Sequence, residues 1–161
     1  LMRRLLFFCS LALLGTSFPL AADDEEVLAI VVSNTQIERT LNFTDLTLIY
    51  RRKKLVWDDG DRLQPVNLPT DNSLRRAFSQ RVLGSSPEGL ARYWNVMYFH
   101  GVSPPHVLAS EEAVLRFVLD TPGAIGYVTA CKADARVKTV LWLLPKGKVS
   151  TQPPVLNCSQ D

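Results

Sequence analysis

Apolar and polar positions fall into blocks along this chain, and the blocks read as strands and helices in alternation. Val27-Leu28-Ala29-Ile30-Val31-Val32 is an unbroken apolar run, rich in β-branched residues and closed by Ser33-Asn34. Such a run predicts a strand buried on both faces. Thr44 to Arg52 predicts a helix with Leu46, Ile49 and Tyr50 on one side and Thr44 as its N-cap. Trp57-Asp58-Asp59-Gly60 reads as a turn, and Leu63 to Leu68 as a short strand. Leu74, Ala77, Phe78 and Val82 recur at three- and four-residue steps, which predicts a second helix from Ser73 to Leu83, stopped by Gly84.

The third helix is expected to start at Ser86-Pro87, since serine caps well and proline loses no hydrogen bond at the first helical position. Its apolar face is Leu90, Trp94 and Met97, extended by Tyr93 and Tyr98, and Gly101 stops it. After the stiff Ser103-Pro104-Pro105 connector, Ser110 caps a fourth helix, whose Glu111 and Glu112 suit the positive end of the helix dipole. Thr121-Pro122-Gly123 breaks that helix. Strands follow at Ala124 to Thr129 and Val137 to Leu144, and the tail around Pro153-Pro154 reads as irregular. Alternation of this kind predicts an α/β fold with a central sheet covered on both faces.

A segment of different character precedes this body. Arg3 and Arg4 lead into a charge-free stretch from Leu5 to Ala22, which loosens at Gly15, Ser17 and Pro19 before Asp23-Asp24-Glu25-Glu26. The pattern predicts a secretory signal peptide over residues 1–22, cleaved near Ala22, and one exported domain over 23–161. Retained, the same stretch would be a membrane anchor.

The 161 residues carry 18 basic and 16 acidic side chains, and 47% are hydrophobic. Loss of Arg3 and Arg4 levels the two charges, so the basic footprint of a nucleic-acid binder is missing. Export would leave Cys131 and Cys158 in a compartment that oxidises thiols. A disulfide between them is expected over a reactive or metal-bound thiol, because neither lies in a CxxC pair or near a histidine.

The residues hold no pattern for catalysis. Gly-x-Ser-x-Gly and a Gly-rich phosphate loop are both absent, and paired carboxylates stand only at caps and in loops. His100 and His106 lack metal-ligand spacing, and Asp58-Asp59 with Asp61 lacks the calcium-loop pattern. Arg51-Arg52-Lys53-Lys54, at a helix end, could recruit an anion or an anionic lipid, but reads first as a solvated face that complements the dipole. The chain is expected to bind rather than catalyse, with no cofactor and no metal.

Leu46-x-x-Ile49-Tyr50, Lys53-Lys54 and Trp57-x-x-Gly60 are followed in order by Pro65-Val66-Asn67-Leu68-Pro69, Leu74-Arg75-x-Ala77-Phe78 and Val82-Leu83-Gly84. Tyr93-Trp94, Phe99-x-Gly101, Ser110-Glu111 and Thr121-Pro122-Gly123-Ala124-Ile125-Gly126-Tyr127-Val128 complete the series. From about Val27 to Val128 this series resembles the periplasmic phosphate-binding proteins, the soluble receptors of phosphate ABC transporters, and most of all short single-lobe members. The resemblance implies a single lobe of a type II periplasmic-binding-protein-like fold, a central mixed sheet flanked by helices. Among the matched residues, Gly123 is expected at positive φ, Gly126 where another backbone nears the sheet edge, and Trp57 as a structural plug.

In such receptors two lobes close on phosphate, and the lobe resembled here supplies an arginine and a Ser-Gly-Thr turn that opens a helix. Exposed amides, hydroxyls and a cation together stabilise an anion. The corresponding place is Asn67 to Ser73, where that signature is not intact. The resemblance implies Thr70, Asn72 and Ser73 as donors, Asp71 as acceptor from a protonated oxygen, and Arg75 or Arg76 as nearby charge. Helix capping is the competing role for the first four. With one lobe, the site is open-faced, or a second chain supplies the other wall, or phosphate binding has been lost. The chain is thus expected in the periplasm, either as a phosphate-binding component of an ABC transporter or as a module that contacts a membrane transporter or sensor. A homodimer fits the first of these.

Overall fold

The apolar run at the start of the domain becomes the middle of a sheet. The computed structural model describes residues 26–34 and 38–158, so the leader expected over 1–22 lies outside the described residues. β1 (Leu28–Ser33) is buried at every position. It pairs antiparallel with β4 (Ala124–Thr129) on one side and β5 (Val137–Leu143) on the other. β2 (Gln64–Asn67) runs parallel to β4, and two-residue strands β3 (His106–Val107) and β6 (Val149–Ser150) form the edges. The order is β3-β2-β4-β1-β5-β6. Strands of two residues are too short to show a period, so neither edge is legible in the sequence.

Helices cover both faces, as the alternation predicts. α4 (Glu111–Asp120) is capped by Ser110, whose Oγ accepts from the Ala113 amide at 3.1 Å. It lies against β4 so closely that a Cβ on Gly126 would stand 2.5 Å from Val114 Cγ1 and 3.3 Å from Val118 Cγ2. Gly126 therefore admits the side chains of a helix to an inner strand, not a backbone to a sheet edge. On the opposite face, α1 (Phe43–Tyr50) and α2 (Ser73–Phe78) reach the sheet through Tyr50 and Phe78, both fully buried.

Three helix boundaries differ from expectation. α1 is capped by Asn42 rather than Thr44, because the Asn42 side chain accepts from the Asp45 amide at 2.8 Å. It ends at Tyr50. The Lys53 amide then donates to Leu48 O and the Arg52 amide to Ile49 O, a Schellman closure with Arg52 at φ +58°. α2 continues as a π-type turn, Ser79–Leu83, until Gly84 at φ +70°. Ser86 does accept from the Gly89 amide, but residues 87–90 form turns and α3 begins later (Ala91–Phe99). None of α3 is buried, and Tyr98 and Phe99 are 71% and 87% exposed. Leu90, just ahead of it, is the buried anchor.

Two devices tie the loops down. Trp57 is buried, with its Nε1 donating to Gly123 O at 3.0 Å and the Arg39 guanidinium over its ring at 4.6 Å. Gly123 itself sits at φ +76°, where an added Cβ would fall 2.0 Å from Arg62 O. Cys131 and Cys158 form the expected disulfide, with Cα atoms 5.5 Å apart, pinning the irregular tail to the end of β4. Gly123→Ala should destabilise the domain by about 2 kcal/mol or more in urea unfolding, because αL strain adds to the clash. Removing the disulfide with serines at both positions should lower stability by roughly 3–4 kcal/mol, from the 27-residue separation it closes.

Candidate functional site

β2 delivers the chain to the place singled out by the sequence. Asn67, buried at its end, accepts from the Tyr127 hydroxyl at 3.1 Å, and that hydroxyl accepts from the Leu68 amide at 3.3 Å. The backbone then turns, with the Asn72 amide donating to Pro69 O, and α2 begins. Asn72 Oδ1 accepts from the amides of Leu74 and Arg75 at 2.9 and 3.2 Å. Two donors that could face an anion are thus held by the cap. Thr70, Asp71 and Ser73 are exposed around it. Arg76 points outward, half-exposed, and its Nη1 donates to Glu88 at 3.2 Å.

Arg75, which the sequence suggests as a helix-surface charge, is in fact buried. It is 6% exposed, and its Nε and Nη1 are buried without a hydrogen-bond partner. Burial pushes its pKa down, while Tyr127 and Tyr50 push it up. Both phenols are themselves raised by burial, Tyr127 to about 12, and are neutral at physiological pH. They cannot balance the charge of Arg75. A signal for this residue was present, since position 75 lies three and seven residues before Phe78 and Val82 on the buried stripe.

A cleft of about 430 Å³ opens beside Asn72, between the starts of α2 and α4. Its cations are already matched. Glu111 accepts from Lys132 at 2.7 Å and from the Thr129 amide at 2.6 Å. Arg136 donates two bonds of 2.8 Å to Glu112 and a third of 2.6 Å to Asp134. Hydrogen bonds from Arg136, and then from Arg116, hold Glu112 down at about 2, and Arg136 does the same for Asp134. A dianion placed here would meet three carboxylates along with the two cations.

The carboxylates make the cleft acid-sensitive. A depressed carboxyl pKa contributes stability that is present above the unfolded value, near 4, and lost as pH falls through the folded value. Melting temperature should therefore drop between pH 5 and 2, and Arg136→Met should flatten that drop while lowering the plateau at neutral pH. Parallel melting curves of the two proteins across this range would contradict the assignment.

No family model matches the chain, and no curated protein matches it in sequence. Solved structures do match in fold. An ABC-type phosphate transport receptor from Vibrio cholerae superposes with a TM-score of 0.58 at 18% identity, over 73% of this chain and 47% of its own. A protein described as a phosphate ABC transporter substrate-binding protein with bound phosphate, from Clostridium perfringens, gives 0.58 at 19%, over 73% and 46%. PstS from Borrelia burgdorferi gives 0.51 at 14%, over 66% and 41%. The chain spans less than half the length of each. It has the mixed α/β fold of a single periplasmic-binding-protein-like lobe.

Proposed function

We propose that this chain is an exported binding protein that holds a small oxyanion, phosphate foremost, at the start of α2 without covalent chemistry. The observation that carries the reading is Arg75, a buried guanidinium with two nitrogens, Nε and Nη1, without hydrogen-bond partners and only neutral phenols acting on it. An uncompensated buried charge is strongly destabilising, and an anion is what removes that penalty. Thr70 and Ser73 supply hydroxyls, Asn72 supplies amide donors, and Asp71 accepts from a protonated phosphate oxygen. Arg76 joins only when Glu88 releases it. The domain spans 23–161 behind a leader cleaved near Ala22 and works in the periplasm, with an ABC permease or a sensor as its membrane partner. A second copy of the chain is one source of an opposite wall.

A rival reading has its own support. The exposed Tyr98 and Phe99 on a helix with no buried residue suit a protein-contact module that keeps the fold without the ligand.

Calorimetric titration of phosphate-stripped protein, with sulfate as control, separates the two. Saturable phosphate binding is expected, and Arg75→Met should abolish it while stabilising the ligand-free protein by about 1 kcal/mol or more. One phosphate per two chains would mean that a dimer builds the cleft. No heat and no thermal shift with the unaltered protein would favour the contact module.

A further inference from the structure

The basic run 51–54 is not the solvated face its composition suggests. Arg51 donates to Leu83 O at 2.9 Å and lies over the Tyr93 ring, and Lys54 pairs with Asp45 and Asp58. Lys53 alone of the four is exposed. Arg52 is half-buried, and its Nε is buried with no hydrogen-bond partner. It also occupies the left-handed closing position of α1, where glycine is the usual residue.

Arg52 lines a cavity of about 340 Å³ with Arg62, His106 and an apolar wall that includes Pro105 and Phe117. No aspartate or glutamate is among the lining residues. Arg62 makes no side-chain hydrogen bond or ion pair among the described residues. Burial and the neighbouring Arg62 charge both push the Arg52 pKa down, as expected of two cations with no anion between them. The cavity lies where β2 and β3 begin, whereas α2 starts beyond the end of β2, so this is a separate place from the Arg75 site. Its size falls within the range of roughly 300–1,000 Å³ usual for small-molecule pockets.

We propose that this cavity is a second ligand site, for a small organic dianion whose charged head sits between Arg52 and Arg62 and whose apolar body lies on Pro105 and Phe117. Paired guanidiniums suit a phosphomonoester or a dicarboxylate head equally, through bidentate charge-assisted hydrogen bonds. The apolar wall is what separates such ligands from inorganic phosphate. Strain and an unpaired cation at Arg52 then have a common purpose, since glycine there would relieve both and lose the ligand.

Phenyl phosphate, phthalate and inorganic phosphate titrated into the exported domain, followed by two-dimensional amide NMR, test this. Shifts are expected at Arg62 to Val66 and Phe117 with phenyl phosphate or phthalate, and the tighter of the two identifies the preferred head group. Arg62→Ala and Arg52→Gly should each weaken that binding at least tenfold, with Arg52→Gly melting no lower than the parent. Arg75→Met should leave it unchanged, whatever becomes of phosphate binding at α2. Undiminished binding in both arginine variants, or no shifts with either organic ligand, would overturn the site. Inorganic phosphate binding there as tightly as phenyl phosphate would overturn the organic class.

Discussion

The stack of Phe78 on Tyr127 is the contact on which the rest depends. The rings lie nearly parallel, 3° apart, with centroids 3.9 Å apart, and Tyr50 packs against Phe78 at 4.5 Å. These three buried rings join α1, α2 and β4 in one apolar layer, and rings of this size dominate core energetics. The two tyrosine hydroxyls do the directional part. Tyr50 donates to Val66 O at 3.1 Å, and Tyr127 bridges the Asn67 side chain and the Leu68 amide. The exit of β2 and the start of α2 are thereby fixed relative to the sheet.

That same layer sets the electrostatics of the candidate site. Arg75 projects from the helix that Phe78 anchors, so it is buried along with the ring. The groups that act on it electrostatically are phenols kept neutral by their own burial. Meanwhile the neighbouring cleft has neutralised itself, with Lys132 and Arg136 matched to Glu111, Glu112 and Asp134. On the proposed reading, an anion near α2 would meet one unmatched buried cation rather than a basic surface. In that reading, this is how a chain with only 18 basic against 16 acidic residues would hold an oxyanion.

The sequence displayed the centre of the fold better than its margins. The apolar run of β1, the Ser110 cap and the Gly123 turn rest on strong local signals, and the structure agrees with them, as it does with the expected cysteine pair. The edge strands and the late start of α3 have no such signal, because two residues have no period and capping bonds at Ser86 form in a turn as readily as in a helix. Thr70 to Ser73 was readable as a polar helix start with capping among its roles, and Asn72 takes that role, though which of the four would do so was not legible. Arg75 and Arg52 were read only as surface charge, for a shared reason. An arginine is read as surface by default, and whether its guanidinium finds a partner is decided by elements distant in sequence.

The central claim is that Arg75 is held in the core to meet an anion, and its side chain can report this directly. Nitrogen-15 spectra of the arginine Nε–H groups, with Arg75 assigned by mutation, should be followed as phosphate is added to the protein. The account expects the Arg75 Nε–H signal to shift and saturate with one phosphate, while that of Arg76, held by Glu88, moves little. An Arg75 signal that stays fixed at phosphate concentrations that saturate the protein would contradict it.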